Sequence, residues 1–89
     1  MRIVWDEPKR RTSLGKHGLD FADLSPEFFV DAIVRPVRQE RLQAIGPVAG
    51  RLVTVVFAPL GSEAISVISM RRASRKERKA YETQDPADN

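Results

Sequence analysis

Apolar and polar positions along the chain change their period several times, and each change marks an element. The cleanest alternation lies at 51–58, where Val53, Val55 and Phe57 fall on one face and Leu52 and Val56 on the other. That pattern predicts a strand buried on both sides at the centre of a sheet. Residues 64–70 are rich in β-branched side chains and have the length of another strand. Simple alternation puts Ile65, Val67, Ser69 and Arg71 on one face and Ser66, Ile68, Met70 and Arg72 on the other. A strand is also expected at 38–45, with Gly46-Pro47 and Gly50 supplying a loop of hairpin length before the central strand. Residues 32–37 can extend as well, but Pro36 confines them to an edge. Residues 1–5 read as a short edge strand, and Pro59 and Gly61 turn the central strand back into 64–70.

Helical signals bracket these strands. Asp6 suits an N-cap with Glu7 and Pro8 in the first turn, and the helix runs to His17, with Gly18 in the left-handed position that ends it. Leu14 is the only large apolar residue of that helix, which therefore lies near the surface; Leu19 is expected to fold back onto it. Asp20 and then Ser25-Pro26 are two further start signals. Phe21, Leu24 and Phe28, helped by Phe29, supply the apolar face that the first helix lacks. Asp20, Asp23, Glu27 and Asp31 make this segment acidic, a solvated outer face rather than a metal site. Near the end, Ser74 followed by Glu77 is a capping-box pattern that opens a helix at Arg75. In that helix only Ala80 and Tyr81 can bury much surface, so it must lean on the sheet or on a partner. The expected architecture is α+β: one domain at 1–82, built as an antiparallel meander with two helices before it and one after. A disordered acidic tail is expected at 83–89.

Composition narrows the chemistry. With 89 residues, no cysteine and one histidine, the chain offers no disulfide framework, no thiolate metal site and no His-rich coordination, so neither a metal nor a cofactor is expected. The longest apolar run, 52–60, is broken by Thr54 and Pro59 and is too short to span a membrane, and nothing resembles a signal peptide; the expected location is the cytoplasm. Net charge is +3 and the sequence pI about 9.8. More telling is the distribution, since six basic residues face two acidic ones between Arg71 and Glu82.

A strand that carries cations to its own end suits a phosphate site, which nominates Arg71, while Arg72 points the other way. Arg72, Arg75, Lys76, Arg78 and Lys79 are candidates for holding a nucleic-acid backbone, and Tyr81 for stacking on a base or packing on the sheet. His17 is a candidate general acid or base, or a cation seated on a helix C-terminus. Lys16 beside it is a phosphate ligand or a solvated charge. Glu40, placed mid-sheet by the strand at 38–45, is a candidate base or one half of a charge pair with Arg41.

Taken in order, Trp5-Asp6, Lys16-His17-Gly18 with Phe21, Glu40-Arg41 with Ile45-Gly46, and Ile68-Ser69-Met70-Arg71 leading to Ala73-Ser74, Glu77 and Tyr81 resemble the BrnT-type toxins of bacterial type II toxin-antitoxin systems. The resemblance covers 5–82. It implies a RelE-like fold, metal-independent cleavage of RNA that halts translation, and neutralisation by a BrnA-type antitoxin whose ribbon-helix-helix region, not the toxin, contacts DNA. The family usually has asparagine where this chain has Ser13 and alanine where it has Met70. Cleavage of RNA without a metal needs a 2′-hydroxyl to attack the neighbouring phosphorus, a group to take its proton, a group to protonate the departing 5′ oxygen, and cations on the phosphate. Arg71 and Lys16 suit the phosphate, His17 or Glu40 the proton, and the basic helix the RNA backbone. The competing reading is a non-enzymatic nucleic-acid or protein-binding module that uses the same basic surfaces for affinity alone.

Overall fold

A computed structural model of the chain describes residues 1–84. In chain order its elements are β1 (Arg2–Trp5), α1 (Glu7–His17), a 3-10 turn (Phe21–Asp23), α2 (Pro26–Asp31), β2 (Ile33–Pro36), β3 (Leu42–Val48), β4 (Arg51–Leu60), β5 (Ala64–Arg72) and α3 (Arg75–Thr83). β2 to β5 form the expected antiparallel meander, with β4 in the middle of the order β1-β5-β4-β3-β2. The α+β architecture is as expected, but the sheet is mixed, because β1 pairs with β5 in parallel. Among the described residues no helix is long and apolar enough to cross a membrane.

One face of the sheet carries the main core. Val53, Val55, Phe57, Ile65, Val67 and Met70 pack there with Leu19, Phe21, Leu24 and Phe28, so the three anchors at 21, 24 and 28 reach the core, but not from one helical face: Phe21 is in the 3-10 turn, Leu24 is extended and only Phe28 lies on α2. Phe29 makes edge-on contacts with Phe28 and Phe57, each with ring centroids 5.0 Å apart. α3 covers part of the opposite face, where Ala80 and Glu77 are buried.

The helix ends follow the sequence signals. The Asp6 side chain accepts from the Lys9 amide at 3.2 Å, and Gly18, at φ 67°, donates its N–H to the Leu14 carbonyl at 2.8 Å. Leu14 nevertheless stays 39 % exposed while Leu19 joins the core, and the buried residue of α1 is Ser13. Both halves of the capping box form at α3: the Ser74 hydroxyl accepts from the Glu77 amide at 3.2 Å, and a Glu77 carboxylate oxygen accepts from the Ser74 amide at 2.8 Å. Thr83 belongs to α3 and Gln84 caps it in the left-handed region, so the helix enters the stretch expected to be a tail; residues 85–89 of that stretch lie outside the described residues.

Three expectations about the strands need correction. The chain from Arg38 to Arg41 is a turn rather than strand, with Gln39 and Glu40 both at φ 59° and β3 starting at Leu42, so Glu40 is not in the sheet. Gly46 and Pro47 lie inside β3 and not in its loop; the β3–β4 turn is Ala49-Gly50 alone. Glycine eases the close packing of α2 on position 46: a Cβ there would sit 3.1 Å from Phe28 Cε1 and 3.2 Å from Ala32 Cβ, tighter than ordinary contact. Finally, β5 carries a bulge. Val56 pairs with Ser69 but Phe57 pairs with Val67, leaving Ile68 as the extra residue. Beyond it the side-chain pattern is inverted, so Met70 joins Ile65 and Val67 in the core, and Ser69 and Arg71 face α3. Arg72, opposite Val53, still lies on the other face from Arg71.

Candidate active site

β1 pairs with β5 only from Ala64 to Val67. The edge of β5 beyond that point has no strand beside it, and an open edge of N–H and C=O groups must be satisfied some other way. α1 lies against it instead. The Ser13 hydroxyl donates to the Met70 carbonyl at 3.0 Å, a buried bond that seats the helix on the strand.

Between helix and strand runs a groove of about 340 Å³. Pro8, Lys9, Thr12, Ser13, Lys16 and His17 line it from α1, and Ile68 to Arg71 line it from β5. Lys9, Thr12, Ser13 and Lys16 reach it because residues three and four apart share one side of a helix. His17 follows in the last turn, held at the helix end by the Gly18 cap.

Arg71 is fixed by an arrangement that its own sequence neighbourhood does not announce. Its Nη1 and Nη2 donate to the two carboxylate oxygens of Glu77 at 2.7 and 2.8 Å, a parallel pair of bonds. Glu77 is only 7 % exposed, and it also accepts from Thr54 Oγ1 at 2.8 Å, the Ser74 amide at 2.8 Å and Gln43 Nε2 at 3.2 Å. Gln43 in turn accepts from Arg35 Nε at 2.9 Å. The Arg71 guanidinium, against the opposing cost of burial, and then the Ser74 amide and Thr54 hydroxyl hold the Glu77 carboxyl down at about 2. The same carboxylate raises the pKa of Arg71. Arg71 remains 42 % exposed beside the groove. It is a rigid cation with N–H groups to spare, the form in which a guanidinium serves a phosphate best.

Lys16, His17 and Arg71 therefore come together. Glu40 does not join them: it is exposed in the β2–β3 turn and lines no part of the groove. Arg72, Arg75, Lys76, Arg78 and Lys79 are exposed and Tyr81 is half-buried; Arg72 and Arg78 line a separate concavity with Arg51 near the β3–β4 turn. Reading the sequence residue by residue missed Ser13, Thr54 and Gln43 altogether and took Glu77 for a cap alone. The available signal was the position of Glu77, three residues after its cap and six after Arg71, where a side chain reaching back to the cap also meets the strand end.

Residues 5–77 match the family model for the ribonuclease toxin, BrnT, of type II toxin-antitoxin systems. The chain belongs to the BrnT family. The matched stretch begins at Trp5 and ends at Glu77, so it contains both walls of the groove and the carboxylate behind Arg71. The crystal structure of the Brucella abortus ribonuclease toxin BrnT superposes with a TM-score of 0.79 at 59 % identity, over 84 % of this chain and 99 % of that one. No match is found among curated proteins. Membership of the BrnT family bears out the α+β ribonuclease toxin expected from the sequence, a metal-independent enzyme with RNA as its substrate and a cognate antitoxin as its partner. Among the described residues, no three His, Cys, Asp or Glu side chains are placed to hold a metal ion.

Proposed function

We propose that the groove between α1 and β5 is where this BrnT-family ribonuclease cuts RNA, by attack of a 2′ oxygen on the adjacent phosphorus with departure of the 5′ oxygen. Arg71 and Lys16 hold the phosphate and the charge that builds on it. His17, the imidazole that lines the groove, takes the 2′-hydroxyl proton and returns it to the departing 5′ oxygen. Glu40 is left out of this role by its place in the β2–β3 turn. Arg72, Arg75, Lys76, Arg78 and Lys79 guide the RNA backbone, with Tyr81 beside them. The partner is a BrnA-type ribbon-helix-helix antitoxin that covers this basic surface and alone contacts DNA; the toxin acts in the cytoplasm and halts translation.

One observation carries the reading: Lys16 and His17, at the end of the first helix, line the same groove as Arg71, at the end of the last strand. Incubating the purified protein with labelled RNA in EDTA tests it. Cleavage leaving a 2′,3′-cyclic phosphate is expected, suppressed when the antitoxin is co-purified, and His17→Ala should lose roughly a hundredfold or more. RNA retained intact, in a salt-sensitive way, would mean a binding module. Full activity in His17→Ala would move proton transfer elsewhere.

A further inference from the structure

We infer that the concavity under the β2–β3 turn is a second nucleotide subsite, holding an RNA nucleotide beyond the two that flank the scissile phosphate; this rests on the cleavage role proposed for the α1–β5 groove. Pro36, Val37 and Val56 give the concavity an apolar floor, and Arg38, Gln39 and Arg41 line it with polar groups. A base can lie on such a floor while guanidinium groups take its phosphate.

Two independent features favour this use. The first is the turn itself. The Arg41 amide donates to the Arg38 carbonyl at 3.2 Å and the Val37 amide to the Arg41 carbonyl at 3.0 Å, while Gln39 and Glu40 both occupy the left-handed region that side chains other than glycine adopt only at a cost. The turn so closed brings two arginines to one concavity. Among the described residues neither is in an ion pair, and no acidic side chain lines the concavity. Both guanidinium groups are exposed, so an anion can reach them from solvent.

The second feature is continuity with the groove. Ser69, Val56, Gln43 and Arg35 stand opposite one another on β5, β4, β3 and β2, a single rung across the face that α3 shares. Ser69 lines the groove and Val56 lines the concavity, so the two sites meet across one strand spacing, about 5 Å. Hydrogen bonds from Arg71 to Glu77, from Gln43 to Glu77 and from Arg35 to Gln43 fix the polar side chains beside that meeting point, beneath α3. An RNA strand with its scissile phosphate at Arg71 and a nucleotide further along at Arg38 and Arg41 passes from β5 to β4 at Ser69 and Val56.

The test uses the full chain and the variants Arg38→Ala, Arg41→Ala and the double variant. Cleavage is measured on a dinucleotide confined to the groove and on a longer single-stranded oligonucleotide. The double variant should lose about ten- to a hundredfold more kcat/KM on the longer substrate than on the dinucleotide. Binding of an oligonucleotide with a 2′-deoxy group at the reacting position should weaken, and its log-log salt slope should become shallower by about 0.7, as expected for one lost phosphate contact on a single strand. Equal losses on both substrates, or an unchanged salt slope, would overturn the subsite while leaving the groove assignment standing. Weaker antitoxin binding with unaltered RNA binding would give the concavity to the antitoxin instead. If the wild type cleaves neither substrate, the groove assignment fails and the subsite with it.

Discussion

Arg71→Ala is expected to lower RNA cleavage by roughly a hundredfold or more, the loss typical of removing one donor aimed at a developing oxyanion. It is also expected to weaken the fold, and the reason lies behind the groove. Without Arg71, Glu77 keeps Thr54, Gln43 and the Ser74 amide but loses its only charged partner at a 7 % exposed position. Leaving a buried acceptor short of partners costs about 1–3 kcal/mol. Because Arg71 is 42 % exposed, solvent already screens part of the pair and the lower end applies. Arg71→Lys keeps a charge but not the two-pronged geometry, so it should recover more stability than turnover. Arg72→Ala, on the other face of β5, should change neither much and should reduce RNA affinity in a salt-dependent way. Turnover and thermal midpoint, measured together on the three variants, check this; a turnover loss in Arg72→Ala as large as in Arg71→Ala would reverse the assignment.

Glu77→Gln is expected to show the second large effect, on stability and its pH dependence. The carboxyl has a folded-state pKa of about 2 against an ordinary value of 4.5. A depressed pKa means that the unfolded chain takes up the proton first. The stabilisation is therefore complete above pH 4.5 and is lost as pH falls from there towards 2. Its size is about 3 kcal/mol. Glu7 and Asp20 are lowered as well, through Trp5 with Arg10 and through the Ala22 amide with Arg10 respectively, so the wild type loses stability in acid from more than one source. The contribution of Glu77 is the part that disappears in the Gln variant. Denaturant unfolding across this range should give the variant a flatter profile and lower stability at neutral pH. Parallel profiles for the two proteins would show that Arg71 and Glu77 are not coupled in solution.

Most of the fold was legible because local signals and tertiary needs agree. Asp6, Gly18, Ser25-Pro26 and the Ser74–Glu77 box all mark helix ends that form where the residues say, and the alternation at 51–58 did identify the central strand. The failures have physical causes. Gln39 and Glu40 carry no turn signature, since neither is glycine, asparagine or aspartate, yet both adopt positive φ. Gly46-Pro47 has a turn signature but sits in a strand, where glycine answers the close approach of Phe28 and Ala32. The bulge at Ile68 cannot be read from alternation, because Ile68 is as apolar as the core residues around it. At the site, Lys16, His17 and Arg71 were legible as isolated charges near element ends. Their meeting was expected, but the contact that makes it was not, since it depends on β1 stopping at Trp5 and leaving an edge for α1 to cover.

The parallel pairing of β1 with β5 has a consequence for a cell making this chain. β1 leaves the ribosome well before β5, the neighbour it pairs with, and domains fold no earlier than their long-range contacts allow. A nascent or truncated product ending before Ala64 has Lys16 and His17 but neither the opposite wall of the groove nor Arg71. A chain interrupted before Ala64 thus lacks half of the proposed site, which is assembled only once β5 has been made.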